Sequence, residues 1–318
     1  MQEFIMIVGL PSSGKSELAK EYQKNGVKVL SSDLIREELF NDRQYQKKNK
    51  EVFDVMNARA IEMLNNGESV LFDATNIHSD KRIELLKLIP DGVHKKCVYI
   101  IKSKELCIYD DARRKYSVGK EVINEYYKKL QIPMYHEGWD EIDIVPAYNI
   151  IDNRFYYNVF ENKLSYDGFL SLYEELGLDV EYYDIPHDTR YNSFSTLRQA
   201  YYTYSYVFEN YHEEDRFEML MASLLYVIGK ADCKTFPEGS KYATYKHASN
   251  VSAQITLATL INNGYDKEFS LRVATLVQMY IMSSIKNGLV QKKLVESVGK
   301  ELADKLLFLN KAERFTKI

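Results

Sequence analysis

Gly9-Leu10-Pro11-Ser12-Ser13-Gly14-Lys15-Ser16 gathers into eight consecutive residues what a polyphosphate needs from a protein. Glycine frees backbone N–H groups to turn toward an anion, an ammonium adds charge, and a hydroxyl opens a helix whose positive dipole end faces the same point. Gly9, Ser12, Ser13, Gly14 and Lys15 are therefore expected to cradle a nucleotide polyphosphate. Lys15 reaches the β- and γ-phosphates, and the Ser16 hydroxyl ligates Mg²⁺. Asp33, in Ser31-Ser32-Asp33-Leu34-Ile35-Arg36, follows a strand on the side where ligands bind in open α/β sheets. It is placed to take a proton from a hydroxyl, or to cap the helix over 34–40. Arg36, one turn along, either clamps an anionic part of an acceptor or pairs with Glu37 or Asp33. Asp73 closes an apolar run, as a second Mg²⁺-handling acid does beside a phosphate loop. Asp110-Asp111-Ala112-Arg113-Arg114-Lys115-Tyr116 reads either as a solvated helix end or as a mobile lid. In a lid, the cations offset charge on a transferring phosphoryl group and closure excludes water.

These residues need a frame, and the pattern around them supplies one. Strands are predicted over Phe4–Val8, Val27–Leu30, Ser69–Phe72 and Lys95–Ile101, alternating with helices over Ser16–Asn25, Leu34–Phe40, Tyr45–Leu64 and Ser79–Leu88. Such alternation implies a parallel sheet with helices on both faces, an α/β fold. It stops within Val145–Tyr157, where Pro146 and Asp152-Asn153 mark a boundary between domains at 1–152 and 153–318. Beyond it the spacing is helical throughout, with helices predicted over Glu213–Ile228, His247–Ile261, Lys267–Ser284 and Gln291–Leu309, so the second domain is all-α.

The chain's 318 residues favour two domains over one core. Its net charge of −4 divides evenly, 23 basic against 25 acidic residues to Asp152 and 19 against 21 beyond. Neither half is a polycation, so nucleic acid would have to be met through local basic patches. Apolar runs fall short of a membrane span, and Gln2-Glu3 after Met1 gives no basic leader, which points to a cytoplasmic protein without membrane association. Three scattered cysteines, Cys97, Cys107 and Cys233, suit reduced, inert thiols. Tyr201, Tyr202, Tyr204, Tyr206 and Tyr211 form a cluster that either stacks on bases or packs helices.

Taken together, Gly9 to Ser16, Ser32-Asp33-x-x-Arg36, Asp73-Ala74-Thr75-Asn76, the Arg113/Arg114 segment, Val118-Gly119-Lys120-Glu121-Val122-Ile123 and Glu137-Gly138-Trp139-Asp140 resemble the polynucleotide 5′-hydroxyl kinase family, over roughly residues 1–150. The resemblance implies a P-loop kinase that uses ATP and Mg²⁺ to phosphorylate the 5′-hydroxyl of an RNA or DNA end, in nucleic-acid repair. It assigns ATP and metal binding to Lys15 and Ser16, the general base to Asp33, contact with the acceptor strand to Arg36, and the ATP phosphates to Arg113 and Arg114. The family spreads its arginines over a longer lid, whereas Asp110-Asp111 stand at the start here. Which arginine acts is left open. Leu224-Leu225-Tyr226-Val227-Ile228-Gly229-Lys230 and Tyr245-Lys246-His247-Ala248 resemble the His-Asp (HD) phosphohydrolase family. Tyr226 and Val227 stand in place of its His-Asp pair and Gln199 in place of its first histidine. A single remaining His247 cannot hold a binuclear metal site, which implies a helical domain without hydrolase chemistry and a structural role for His247. A kinase of a small-molecule hydroxyl, or a nucleotide-gated RNA-binding scaffold, are the alternatives.

Overall fold

In the computed structural model the described residues are 1–147, 161–189, 193–281 and 288–315. The chain divides into two compact units, Met1–Asn149 and Ile150–Ile318. The expected boundary at Asp152 lies outside the described residues.

The first unit is built on β1 (Glu3–Val8), whose residues Phe4 to Val8 are at most 1% exposed. A strand apolar on both faces must be covered on both, and this one lies at the centre of a sheet ordered β2-β3-β1-β4-β5. Its companions are β2 (Lys28–Ser31), β3 (Val70–Asp73), β4 (His94–Ile101) and β5 (Glu141–Pro146), every neighbouring pair parallel. The intervening helices are α1 (Lys15–Lys24), α2 (Ser32–Phe40), α3 (Asn49–Asn65), α4 (Ser79–Leu86), α5 (Lys104–Asp111) and α6 (Lys120–Lys129), with a 3₁₀ turn at Tyr135–Glu137. One core gathers Ile5, Ile7, Leu71, Val98 and Ile100 with Ala19 of α1. Phe4 and Phe72 lie 6.1 Å apart and Phe53 of α3 stacks on Phe72 at 6.4 Å. Each large apolar side chain buried this way contributes about 1.5–3 kcal/mol. The alternation runs one strand further than its sequence pattern shows. β5 occupies the sheet edge and alternates buried Ile142 and Ile144 with half-buried Glu141 and Asp143, so it lacks the continuous apolar run of a central parallel strand.

The second unit is helical: α7 (Tyr166–Glu175), α8 (Val180–Tyr183), α9 (Thr196–Asn210), α10 (Arg216–Leu225), α11 (Lys230–Cys233), α12 (Ala248–Asn262), α13 (Lys267–Met279), α14 (Gly288–Val298) and α15 (Lys300–Phe315). Two predicted helices are broken. The one over 291–309 is parted at Gly299 into α14 and α15. The one over 213–228 ends at Leu225, because the following turn is drawn against α12. Gly229 donates to Ser252 Oγ at 2.8 Å, Ser252 donates to the Tyr226 carbonyl at 2.9 Å, and a Cβ on Gly229 would meet the Ala248 carbonyl at 2.3 Å. Within the tyrosine cluster Tyr204 is buried and accepts from the Leu164 N–H, Tyr206 stacks on Phe315 at 4.8 Å, and Tyr202 is exposed. All three cysteines are buried and none is in a disulfide. Among the described residues no helix is long and apolar enough to cross a membrane.

Candidate active site

β1 delivers the chain into the phosphate loop at the carboxyl edge of the sheet. The Gly9 N–H donates to Thr75 O at 3.2 Å and the Ser13 N–H to Leu10 O at 3.2 Å, closing the turn. Gly14 sits at φ +105, where a Cβ would be strained, and its carbonyl takes the first helical N–H groups of α1, from Glu17 and Leu18. Ser12 is left-handed too, at φ +62. The Ser13 hydroxyl is buried and, among the described residues, has no hydrogen-bond partner. A buried hydroxyl left open inside an anion-shaped loop is a donor waiting for an acceptor.

Lys15 folds over this loop, 9% exposed, and donates to Leu10 O at 2.6 Å. Burial pushes its pKa down to about 8, against the attraction of Asp73. Asp73 ends β3 in register with Ser31 of β2 and Ile7 of β1. Burial raises its pKa, opposed by Lys15 and by a hydrogen bond from Ser31. Ser16 is exposed on the first turn of α1. A serine hydroxyl and one carboxylate are hard oxygen donors, the set Mg²⁺ takes when phosphate oxygens and water complete its shell. A cation there would also relieve the desolvation of Asp73, so these residues fit the ion.

Asp33 does not cap its helix. α2 begins one residue before it, with Ser31 at the N-cap, which places Asp33 inside the first turn. Its carboxylate stays 62% exposed while the 7%-exposed side chain of Arg36 grips it through Nη1 at 2.9 Å. The same guanidinium donates through Nη2 to Asn49 Oδ1 at 2.9 Å, and its buried Nε has no partner among the described residues. Arg36 is therefore turned inward and pairs with Asp33, one of the two carboxylates expected as its partner. The negative charge of Asp33 is felt at both Lys15 and Asp73. One edge of the sheet thus carries the glycine-bounded loop, the buried Lys15 ammonium, the buried Asp73 carboxylate and the exposed Asp33 carboxylate paired with a buried arginine.

The structure separates Arg113 from Arg114. Arg114 Nη1 donates to Ser12 Oγ at 3.1 Å, while the Arg113 guanidinium lies over the exposed Tyr109 ring at 3.7 Å. Lys102, just past β4, donates to Ser12 O at 3.0 Å and pairs with Asp110. No motif marks Lys102; its only sequence signal is a cation directly after a strand that feeds this edge. A second feature underlies the site, and the sequence marks only one half of it: Glu137 lies in the Glu137-Gly138-Trp139-Asp140 motif, while nothing marks its partner Arg82. Arg82, 1% exposed, forms a bidentate pair with the buried Glu137 at 2.5 and 2.7 Å. Its remaining donors go to the carbonyls of Asn76, Gln131 and Ile132 at 2.9–3.0 Å. Glu137 also accepts from Ser79 and Trp139, each at 2.9 Å. Asn76 in turn donates to Ile7 O at 2.7 Å, so this pair fixes the turn that follows Asp73.

In the helical unit Gln199, Tyr226 and Lys230 do converge. Lys230 Nζ lies 2.8 Å from His187 Nε2 and donates to Gln199 Oε1 at 3.2 Å; Gln199 Nε2 reaches Glu313 at 3.5 Å. Tyr226 hydrogen-bonds Thr203 at 3.1 Å and borders a cavity of about 10 Å³ shared with Glu313 and Tyr280. His247 is the left-handed residue, φ +69, preceding α12. Among the described residues no three His, Cys, Asp or Glu side chains gather as a metal-binding group.

Residues 4–133 match the family model described as "AAA domain". The chain is similar to the L-seryl-tRNA(Sec) kinase of Methanococcus maripaludis, 30% identical over 149 residues, covering 44% of this chain and 57% of that protein. It is also similar to the bifunctional polynucleotide phosphatase/kinase of Schizosaccharomyces pombe, 25% identical over 152 residues, covering 46% of this chain and 34% of that protein. The chain thus spans little more than half, or only a third, of these relatives' own lengths. A gluconokinase from Sinorhizobium meliloti 1021 is structurally similar with a TM-score of 0.35 and 17% identity, over 46% of this chain and 83% of that one.

Proposed function

We propose that this chain transfers the γ-phosphoryl group of ATP to a hydroxyl carried by a nucleic acid, with the 5′-hydroxyl of an RNA or DNA end as acceptor. The observation that carries the proposal is Asp33, an exposed carboxylate locked by a buried arginine at the same sheet edge as Lys15 and the phosphate loop. In this reading the Ser12 and Gly14 N–H groups and the Ser13 hydroxyl reach the triphosphate, while Gly9, whose own N–H closes the turn on Thr75 O, keeps the loop free of a side chain where the phosphates approach. Lys15 exchanges its bond to the Leu10 carbonyl for a phosphate oxygen. Ser16 and Asp73 would hold Mg²⁺, which when bound offsets charge on the phosphoryl oxygens. Asp33 accepts the proton of the acceptor hydroxyl as its oxygen bonds to the γ-phosphorus and the bond to the β,γ-bridging oxygen breaks, releasing ADP. Arg36 orients Asp33, and Arg114 faces the transferring group.

The nucleic-acid acceptor draws on the two curated relatives, a tRNA-directed kinase and a polynucleotide kinase by name. A repair role follows from a 5′-end acceptor. The 30% identity to the L-seryl-tRNA(Sec) kinase favours, as a second reading, a hydroxyl borne on an aminoacyl-tRNA. For the helical unit we infer an HD-like fold without hydrolase activity that helps hold substrate. Its support is that Gln199 and Tyr226, standing in ligand positions, are tied into a network with Lys230 and His187, where a cation already occupies the polar centre.

Incubation with γ-labelled ATP and, separately, 5′-hydroxyl RNA, 5′-hydroxyl DNA, seryl-tRNA and a metabolite pool tests this. Label on an oligonucleotide 5′ end is expected. Label on seryl-tRNA alone selects the second reading, label in the metabolite pool alone overturns the nucleic-acid acceptor, and tight ATP and RNA binding without transfer overturns the enzyme.

A further inference from the structure

Asp111, the last residue of α5, is 1% exposed and receives hydrogen bonds from two separate segments. From the phosphate loop, the Ser12 hydroxyl donates to Oδ1 at 3.0 Å. From the lid, Oδ2 takes the Ser117 hydroxyl at 2.6 Å, the Gly119 N–H at 2.9 Å and the Val118 N–H at 3.1 Å. Arg114 lies inside the stretch pinned this way and donates to the same Ser12 hydroxyl at 3.1 Å. A hydroxyl has one hydrogen, so Ser12 spends it on Asp111 and presents a lone pair to Arg114. The result is a directed chain, Arg114 to Ser12 to Asp111. Every partner of Asp111 is a donor, so only a carboxylate satisfies them all; an amide would aim its own N–H groups at some of them. Burial alone would raise its pKa, but the bonds from Ser117, Gly119, Val118 and Ser12 outweigh that and hold it below the usual carboxylate range.

We propose that Asp111 is a positioning residue for phosphoryl transfer, setting Arg114 over the phosphate loop through Ser12 while clasping the 112–119 segment against that loop. The inference rests on the phosphate-loop reading for the anion that Arg114 meets. It also gives a physical reason for acidic residues at the head of this lid. Asp110 engages Lys102, which donates to the Ser12 carbonyl, so both acids act on one loop residue from opposite ends. Freed of Asp111, the Ser12 hydroxyl rotates and Arg114 loses its anchor. It is then free to turn away from the loop, as the neighbouring Arg113 does in lying over the Tyr109 ring.

A double-mutant cycle on the full chain separates positioning from independent structural support. Mg·ATP affinity is measured for wild type, Arg114→Ala, Asp111→Asn, Ser12→Ala and the two double variants that combine Arg114→Ala with each. Each single change should weaken binding about tenfold, the loss of one charge-assisted hydrogen bond. Each double should lie within about twofold of its weaker parent, since both changes then remove the same contact. Losses that multiply to about a hundredfold overturn the inference, as does an Arg114→Ala protein that binds like wild type. Should Asp111→Asn fail to fold by circular dichroism, the Ser12→Ala cycle decides alone, because that change deletes one hydroxyl and leaves the lid's bonds to Asp111 in place. Wild type that binds no Mg·ATP overturns the phosphate-loop reading and this inference with it; wild-type binding with multiplying losses overturns this inference only.

Discussion

Raising the pH from 7 to 9 should weaken Mg·ATP binding about tenfold, through one side chain. Burial against the phosphate loop brings the Lys15 pKa from 10.5 to about 8 in the empty protein. Phosphate oxygens around the ammonium restore it, so the bound state keeps the proton that the free state is losing. With a free-state value near 8, about nine-tenths of Lys15 is charged at pH 7 and about one-tenth at pH 9, which is the tenfold loss, ~1.4 kcal/mol. Near pH 8 each binding event should take up about half a proton, read by calorimetry in buffers of different ionisation heat. The sign for stability is opposite. The folded-state pKa lies below the unfolded one, so the unfolded chain binds more protons between about 8 and 10.5. The empty protein therefore gains stability as pH rises through that window, by at most about 3 kcal/mol. Lys15→Arg supplies the control, because a guanidinium stays charged throughout; its binding should be weaker in absolute affinity but level from pH 7 to 9. Wild-type affinity that is level over the same range, with no proton uptake, would refute burial of Lys15 as the controlling feature.

Asp33→Asn should lower turnover by about two to four orders of magnitude while Mg·ATP affinity stays within about twofold, checked by single-turnover transfer and equilibrium binding. Arg114→Ala should slow transfer about tenfold or more, whereas Arg113→Ala, removing an exposed cation over a tyrosine ring, should stay within about threefold; equal losses would return both arginines to the site. Arg82→Met should cost about 3–5 kcal/mol in denaturant unfolding of the full chain, because Glu137 is left buried and unpaired.

How much of this the sequence discloses depends on where a residue's partners lie. The loop from Gly9 to Ser16 is readable because contiguous residues carry its chemistry and a buried strand and a helix must flank it. The placement of Asp73 and Asp33 is readable for a related reason, each being an acid next to the carboxyl end of a strand in a parallel sheet. Spacing alone does not show that Arg36 faces inward, since it is Asn49, on the next helix, that draws it there. The roles of Lys102, Asp111 and Arg82 are illegible on the same ground: the contacts that tie the first two to the phosphate loop and the third to Glu137 reach 90, 99 and 55 residues along the chain. Their types and neighbours suggest ordinary solvated charges. In the helical unit the resemblance singled out Gln199, Tyr226 and Lys230, but Glu313, 114 residues from Gln199, carries no local mark. β5 escapes notice because an edge strand tolerates the alternating charges that a central one excludes.

The union of Arg82 with Glu137 bears on how this lineage can drift. Each partner shelters the other from a dry interior, so a generation that exchanges one of them inherits a crippled fold before any benefit arrives. Two apolar side chains of matching volume would serve about as well as the ions do, yet that endpoint lies across a ravine that single steps cannot cross. Ser79 and Trp139, which also donate to Glu137, deepen it, because a hydrocarbon successor would orphan both. Homologues should therefore keep both ions or trade them together, and a kin sequence with just one of the two would betray a rebuilt neighbourhood around it.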